Sequence, residues 1–197
     1  MSPRTPEQFE AIREQKRSRI LDAALHLFGT QGYNNTSISQ IAKKADISKG
    51  LIYNYFESKE AVVQEILNSG IDQMLNILDV NHDGYLEPGE LESFIHEMFG
   101  HLEKNPEFWR LYFSILMQPD IYSMVREKTD ELARPLMKMA IDYLSRAGFE
   151  NPQGETLVFA ALIDGIGLHY VMEPAEYPVE MVKNVLLKRY VEPFKDS

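Results

Sequence analysis

Cysteine is absent from all 197 residues. That excludes disulfides and thiolate metal ligands, and it fits a reducing compartment. No apolar run reads as long enough for a membrane span, and the opening MSPRTPEQFEAIREQKR lacks the apolar segment of a signal peptide. The expectation is a cytoplasmic chain with no membrane partner. Catalytic signatures are missing as well, with no G-x-S-x-G, no phosphate-binding glycine loop and no H-E-x-x-H. His96 and His101 are spaced poorly for one helical face, so an enzyme is not expected. Internal repeats and low-complexity tracts are also lacking. Basic residues are scarce overall, 20 Lys and Arg against 30 Asp and Glu, for a net charge of −10. The deficit is uneven. Residues 1–59 carry nine basic and six acidic side chains, and the remainder carries eleven and twenty-four. A basic head on an acidic body is a charge footprint of nucleic-acid binding.

A hydrophobic content of 44% suits a packed core, and the length allows one large or two small domains. The periodicity is helical throughout. Ile20, Ala23, Ala24, Leu27 and Phe28 form the buried stripe of a first helix from about Glu7 to Thr30, with Gly32 just past its end. Its start is basic (Arg13, Lys16, Arg17, Arg19). Over TSISQIAKKADISKGLIYNYFESK, Ser37 and Gln40 make a capping box, and Ile38, Ile41 and Ala42 repeat at helical spacing. Ala45-Asp46-Ile47 is a corner, and Ser48 caps a further helix bearing Leu51, Ile52, Tyr53, Tyr55 and Phe56. Two short helices joined this way make a helix-turn-helix, whose second helix enters the major groove of DNA.

The segment from 13 to 63, with "LFGTQGY", "IAKKADIS" and "KGLIYNYF", resembles the DNA-binding domain of TetR-type transcriptional regulators. Asp46 departs from the glycine more often found at that turn, but Asp tolerates the left-handed conformation. The resemblance implies an all-α fold: a helix-turn-helix domain over 1–57 and a helical regulatory and dimerisation domain over 58–197. Residue chemistry then assigns candidate contacts. Thr36 at a helix start offers a hydroxyl to a phosphate. Lys49 reaches a guanine edge or a phosphate, Gly50 allows close backbone approach, and Leu51 meets a thymine methyl. Tyr53 and Tyr55 meet phosphates or methyls, and Asn54 pairs with a base edge. Lys59, a cation in the first turn of the next helix, opposes the helix dipole, and a phosphate would offset that cost.

That next helix, from Ser58 to Leu78, leads into Asp79-Val80-Asn81-His82-Asp83-Gly84-Tyr85-Leu86-Glu87-Pro88-Gly89-Glu90. The twelve residues satisfy the EF-hand calcium loop at each diagnostic position. Asp79, Asn81 and Asp83 occupy positions 1, 3 and 5, and Gly84 supplies the turn. Tyr85 offers its carbonyl, Glu87 holds position 9, and Glu90 is the bidentate carboxylate. Leu91, Phe94, Ile95, Met98, Phe99 and Leu102 make an amphipathic exit helix. Hard oxygen ligands favour Ca²⁺. The TetR resemblance does not account for this loop.

Beyond Glu103, helices are expected from Asn105 to Pro119, from about Ile121 to Ala147 with a break near Ala133 before Pro135, from Gly154 to Met172, and from Val179 to Tyr190. Leu157, Ala161, Asp164, Gly165 and Leu168, with Val182, Val185 and Leu186, resemble the four-helix dimer interface of TetR-type proteins. Trp109, Tyr112, Phe113, Leu116, Met117, Phe159, Ile163 and Tyr170 supply walls for a ligand pocket. The resulting expectation is a homodimeric regulator, more often a repressor, released from a palindromic double-stranded DNA operator by a small-molecule effector. The rival from another class is a calcium-binding interaction protein with a vestigial helix-turn-helix. A weaker third is a ligand-processing enzyme.

Overall fold

A computed structural model describes residues 5–195, and these form ten α-helices with no strand. In chain order they are α1 (Pro6–Gln31), α2 (Ile38–Ala45), α3 (Lys49–Ile52), α4 (Lys59–Leu78), α5 (Pro88–Lys104), α6 (Pro106–Leu116), α7 (Pro119–Arg146), α8 (Pro152–Met172), α9 (Val179–Tyr190) and α10 (Glu192–Lys195). The chain divides into two compact units. One comprises residues up to Asn68 with Leu111–Glu127, and the other Ser69–Arg110 with residues from Lys128 onward.

The first unit is larger than a head of 57 residues. Its core is built on side chains with no exposure at all: Ile20, Ala24 and Phe28 of α1, Ile41 of α2, Ile52 of α3, Val62, Val63 and Leu67 of α4, and Ile115 and Ile121. The second stretch of chain joins because α1 accepts it closely. A Cβ on Gly29 would lie 2.6 Å from Leu111 Cδ2, so glycine there makes room for Leu111. Ser114 Oγ donates to Gly29 O at 2.9 Å, and Gln118 bridges the end of α1. Its amide donates to Phe28 O at 3.2 Å, and its oxygen accepts from the Tyr33 N–H at 2.9 Å.

In the second unit the apolar face of α5, Leu91, Phe94, Ile95, Met98, Phe99 and Leu102, is buried as the sequence periodicity predicts. Phe99 meets Tyr170 of α8 edge-on at 5.3 Å and Tyr177 at 6.0 Å. The Tyr143 hydroxyl donates to Tyr190 O at 2.8 Å, and burial pushes its phenol up to about 12.

α7 and α8 depart from the sequence expectations. α7 runs unbroken from Pro119 through Pro135. Pro135 and Glu131, whose carbonyl loses its usual partner, are both exposed, so water can take the freed acceptor. α8 is long and apolar enough to cross a membrane by length and composition alone, contrary to the expectation that no run is. Glu155 and Asp164 interrupt it, and Ile166, Tyr170 and Val171 pack it into the second unit.

Candidate nucleic-acid interface

Local sequence dictates the helix-turn-helix. The Ser37 hydroxyl accepts the Gln40 N–H at 3.3 Å, and Gln40 Oε1 returns to the Ser37 N–H at 2.7 Å, closing the expected capping box. At its other end α2 stops in a left-handed residue, Asp46, with φ 56° and ψ 50°. The Ile47 N–H donates to Ala42 O at 3.0 Å and the Asp46 N–H to Lys43 O at 3.3 Å, the two bonds of a Schellman ending. Arg19 lies 3.6 Å from the exposed Asp46 carboxylate. Ser48 then caps α3, its hydroxyl accepting the Leu51 N–H at 3.2 Å.

α3 is shorter than the sequence pattern implies. Regular helix ends at Ile52, and Tyr53, Asn54 and Tyr55 form a turn in which the Asn54 N–H reaches Leu51 O at 3.1 Å and the Tyr55 N–H reaches Ile52 O at 2.9 Å. The two faces nonetheless separate cleanly. Ile52 and Phe56 are buried, whereas Lys49, Gly50, Tyr53 and Asn54 are exposed, Tyr53 by 50%. Leu51 and Tyr55 are half-buried at the margin. A Cβ on Gly50 would meet nothing within 4 Å. Packing inside the protein therefore does not require glycine, which costs about 1 kcal/mol in a helix relative to alanine. A surface that a second molecule's backbone approaches closely gives a reason for it.

Thr36 and Lys59, both predicted contacts, are engaged inside the protein. Thr36 is only 2% exposed, and its hydroxyl donates to Gly32 O at 2.9 Å. It closes the turn after α1 and presents no free donor to a phosphate. Lys59 donates to Tyr33 O at 2.9 Å and to Thr36 O at 3.0 Å, and its ammonium lies 4.0 Å from the centre of the Tyr33 ring. Its unfavourable place in the first turn of α4 is thus offset inside the protein, without a phosphate. Tyr33 completes the cluster by donating its hydroxyl to Glu60 at 2.8 Å. Burial and that carboxylate push the phenol up. The Glu60 carboxyl is held below its ordinary value by the backbone N–H it accepts at the helix start, then by Tyr33 and Ser58. Of the basic start of α1, Arg17 is engaged by Glu65 and stacks on Phe56, while Arg13 is exposed and Lys16 half-exposed. Lys43 and Lys44, which sequence reasoning did not single out, are exposed on the last turn of α2.

The predicted pocket residues fall in both units. Tyr112, Phe113, Leu116 and Met117 belong to the first unit, and Trp109, Phe159, Ile163 and Tyr170 to the second. Tyr112 hydrogen-bonds to Leu67 O at 3.3 Å, Phe159 meets Tyr190 edge-on at 4.9 Å, and Met117 is exposed rather than a wall.

The loop after α4 is tightly wound. Gly84 has φ 74° and His82 φ 58°. Asp79 Oδ2 accepts the Gly84 N–H at 3.2 Å, Asn81 Oδ1 accepts the Asp83 N–H at 2.9 Å, and Asp83 Oδ1 accepts the Tyr85 N–H at 2.8 Å. Glu90 Oε2 accepts the Glu87 N–H at 3.0 Å at the start of α5. Among the described residues, no three His, Cys, Asp or Glu side chains are already gathered for a metal ion. The four predicted carboxylate ligands therefore share one loop with no three of them gathered together.

Residues 20–66 match the family model of bacterial regulatory proteins, tetR family. The helix-turn-helix regulator YuxN of Bacillus subtilis, itself uncharacterized, is 43% identical over 72 residues. That match covers 36% of this chain and 25% of the relative's own length. The negative transcriptional regulator IcaR of the icaADBC biofilm operon of Staphylococcus aureus is 24% identical over 149 residues, 73% of this chain and 79% of that one. Among solved structures, the regulator FadR of Bacillus subtilis in complex with stearoyl-CoA superposes with a TM-score of 0.68 at 20% identity, covering 89% of this chain and 98% of that one. NalD, the secondary repressor of the MexAB-OprM efflux pump of Pseudomonas aeruginosa, gives 0.69 at 23%, covering 92% and 96%. The all-helical fold, N-terminal DNA-binding domain included, is the one these regulators share.

Proposed function

We propose that this chain, whose head is a TetR-type helix-turn-helix domain, is a sequence-specific DNA-binding transcriptional regulator that represses its target until a small molecule releases it. One observation carries the reading. The exposed quartet Lys49, Gly50, Tyr53 and Asn54 lies over a buried Ile52 and Phe56, so donors, acceptors and a bare backbone face outward from a rigid base. Such a face reads base edges while neighbouring cations position the phosphates.

A single head reads only a few base pairs, so two copies on a two-fold axis are needed for a palindromic operator. α8 and α9 supply a surface suited to that role. Leu157 is 62% and Val185 61% exposed, with Val158, Leu162 and Met181 also open to solvent. Leu186, predicted for the same surface, is buried in the second unit instead. Release then follows from a ligand that favours one arrangement of the heads over another. α4 is one continuous helix that starts in the first unit and ends in the second, so it is a route for that coupling. The FadR relative with stearoyl-CoA supports the expectation that a fold of this kind accommodates a small effector.

The test is selection of duplexes from a random pool by the purified full-length protein, followed by affinity measurements across salt. An inverted repeat whose half-sites lie about 34–36 Å apart is expected, with affinity falling steeply as salt rises. A protein that enriches no sequence and ignores duplex DNA at low ionic strength is not this regulator.

A further inference from the structure

Helix α4 has one charge that opposes its dipole near each end. Lys59 in its first turn is compensated by two carbonyl oxygens and an aromatic face. At the far end Asp79 follows the last helical residue, its N–H bonded to Leu75 O at 2.9 Å, and the last turn holds no basic residue. A carboxylate there faces the negative end of the helix dipole. Asp79 is also 5% exposed. One of its oxygens accepts the Gly84 N–H, and the other, Oδ1, is buried without a hydrogen-bond partner. A buried carboxylate oxygen of this kind is costly unless a cation or a donor meets it. The bond to Gly84 places this carboxylate inside the coil of residues 79–90, so the bare oxygen belongs to the coil that also carries Asn81, Asp83, the Tyr85 carbonyl, Glu87 and Glu90.

We propose that this loop is a calcium site, with Asp79 Oδ1 as its fixed anchor. Nothing in the TetR-type head predicts it, and none of its residues belongs to the DNA-reading face. The loop is held from behind. Leu86 is buried, an Arg146 N–H donates to Leu86 O, and the Arg146 guanidinium lies 3.9 Å from the centre of the Tyr85 ring. Its mouth is open, with Asn81, Asp83, Glu87 and Tyr85 exposed. Because no three of the carboxylates are gathered beforehand, the ion assembles its shell as it binds. It takes the bare Asp79 oxygen, turns Asn81 and Asp83 inward, and draws Glu90 from its bond to the Glu87 N–H. Four carboxylates, an amide and a carbonyl are hard oxygen donors in a number that suits the six to eight ligands of Ca²⁺. Mg²⁺ demands a stricter octahedron and keeps more of its water.

The experiment is calorimetric titration of the chelator-treated full-length protein with CaCl₂, with MgCl₂ as a parallel arm. The expected result is one Ca²⁺ per chain, bound more tightly than Mg²⁺. Asp79→Asn and Glu90→Gln should each weaken binding by at least about tenfold, since ligand charge sets affinity in such loops. In chelator, Asp79→Asn should melt no lower than the parent, because a neutral amide replaces a buried, half-partnered carboxylate. Should that variant not fold, the exposed Asp83→Asn replaces it, with the same weakening expected. No heat up to about 5 mM Ca²⁺, or wild-type affinity in the variants, overturns the site. Equal affinity for Mg²⁺ overturns its assignment to calcium. No arm involves DNA, so neither outcome depends on whether the head binds an operator.

Discussion

Lys59 and Lys49 are chemically identical side chains ten residues apart, and their surroundings give them different work. Lys59 is tied to Tyr33 O and Thr36 O, and Lys49 stands exposed at the start of α3. Hydrogen bonds from a charged donor contribute about 1.5–3 kcal/mol. Lys59→Met is therefore expected to lower the stability of the free protein by about 2 kcal/mol in urea unfolding. Lys49→Ala should leave stability within about 0.5 kcal/mol and weaken operator binding by about 1–3 kcal/mol. If Lys59→Met unfolds at the parental urea concentration, the internal clamp contributes nothing and Lys59 returns to the list of phosphate contacts. Thr36 illustrates the same competition. A hydroxyl at a helix start suits a phosphate by chemistry alone, but the carbonyl of Gly32 lies four residues back and takes it.

At the scale of elements, what the sequence makes legible is local and periodic. The Ser37–Gln40 box, the Ser48 cap, the buried face of α5 and both ends of α9 follow from spacings within one or two turns. Asp46 also behaves as its chemistry predicts, taking the left-handed corner where glycine is more usual. A β-branched residue cannot do so cheaply. Asp46→Val is therefore expected to destabilise the head by about 1–2 kcal/mol, read as a drop in thermal midpoint, whereas Asp46→Gly should not. Equal stability of the two would show that the corner shifts to another conformation. What was not legible depends on contacts distant in sequence. Nothing near Gly29 announces that Leu111 will press against it, so the place of residues 111–127 in the first unit cannot be read from local pattern. The division of the pocket residues between two units has the same cause. The continuity of α7 through Pro135 turns on which way the freed carbonyl faces, and side-chain periodicity does not carry that information.

At the scale of the whole molecule, the open stripe on α8 combines apolar surface with one carboxylate. Leu157, Ala161 and Asp164 are all exposed in the single chain, and desolvation by its neighbours still pushes the Asp164 carboxyl above its ordinary 3.8. A second α8 packed across a two-fold axis would remove more water from that group and raise it further. A carboxyl raised in the assembled state binds its proton more tightly there than in the separated chains. Assembly is then favoured at low pH and weakens as pH rises through the window above 3.8, with the penalty complete once the raised group has ionised. Asp164→Asn is therefore expected to tighten the dimer at neutral pH, with the advantage disappearing in acid, where the carboxyl is protonated in both states, as measured by sedimentation equilibrium across pH. Leu157→Glu with Val185→Glu should do the reverse and leave a folded monomer. That monomer should hold its operator far more weakly, because each head then binds alone. A double variant that remains dimeric would move the two-fold axis off α8 and α9. The Asp164 titration would then have to be sought in the stability of one chain instead.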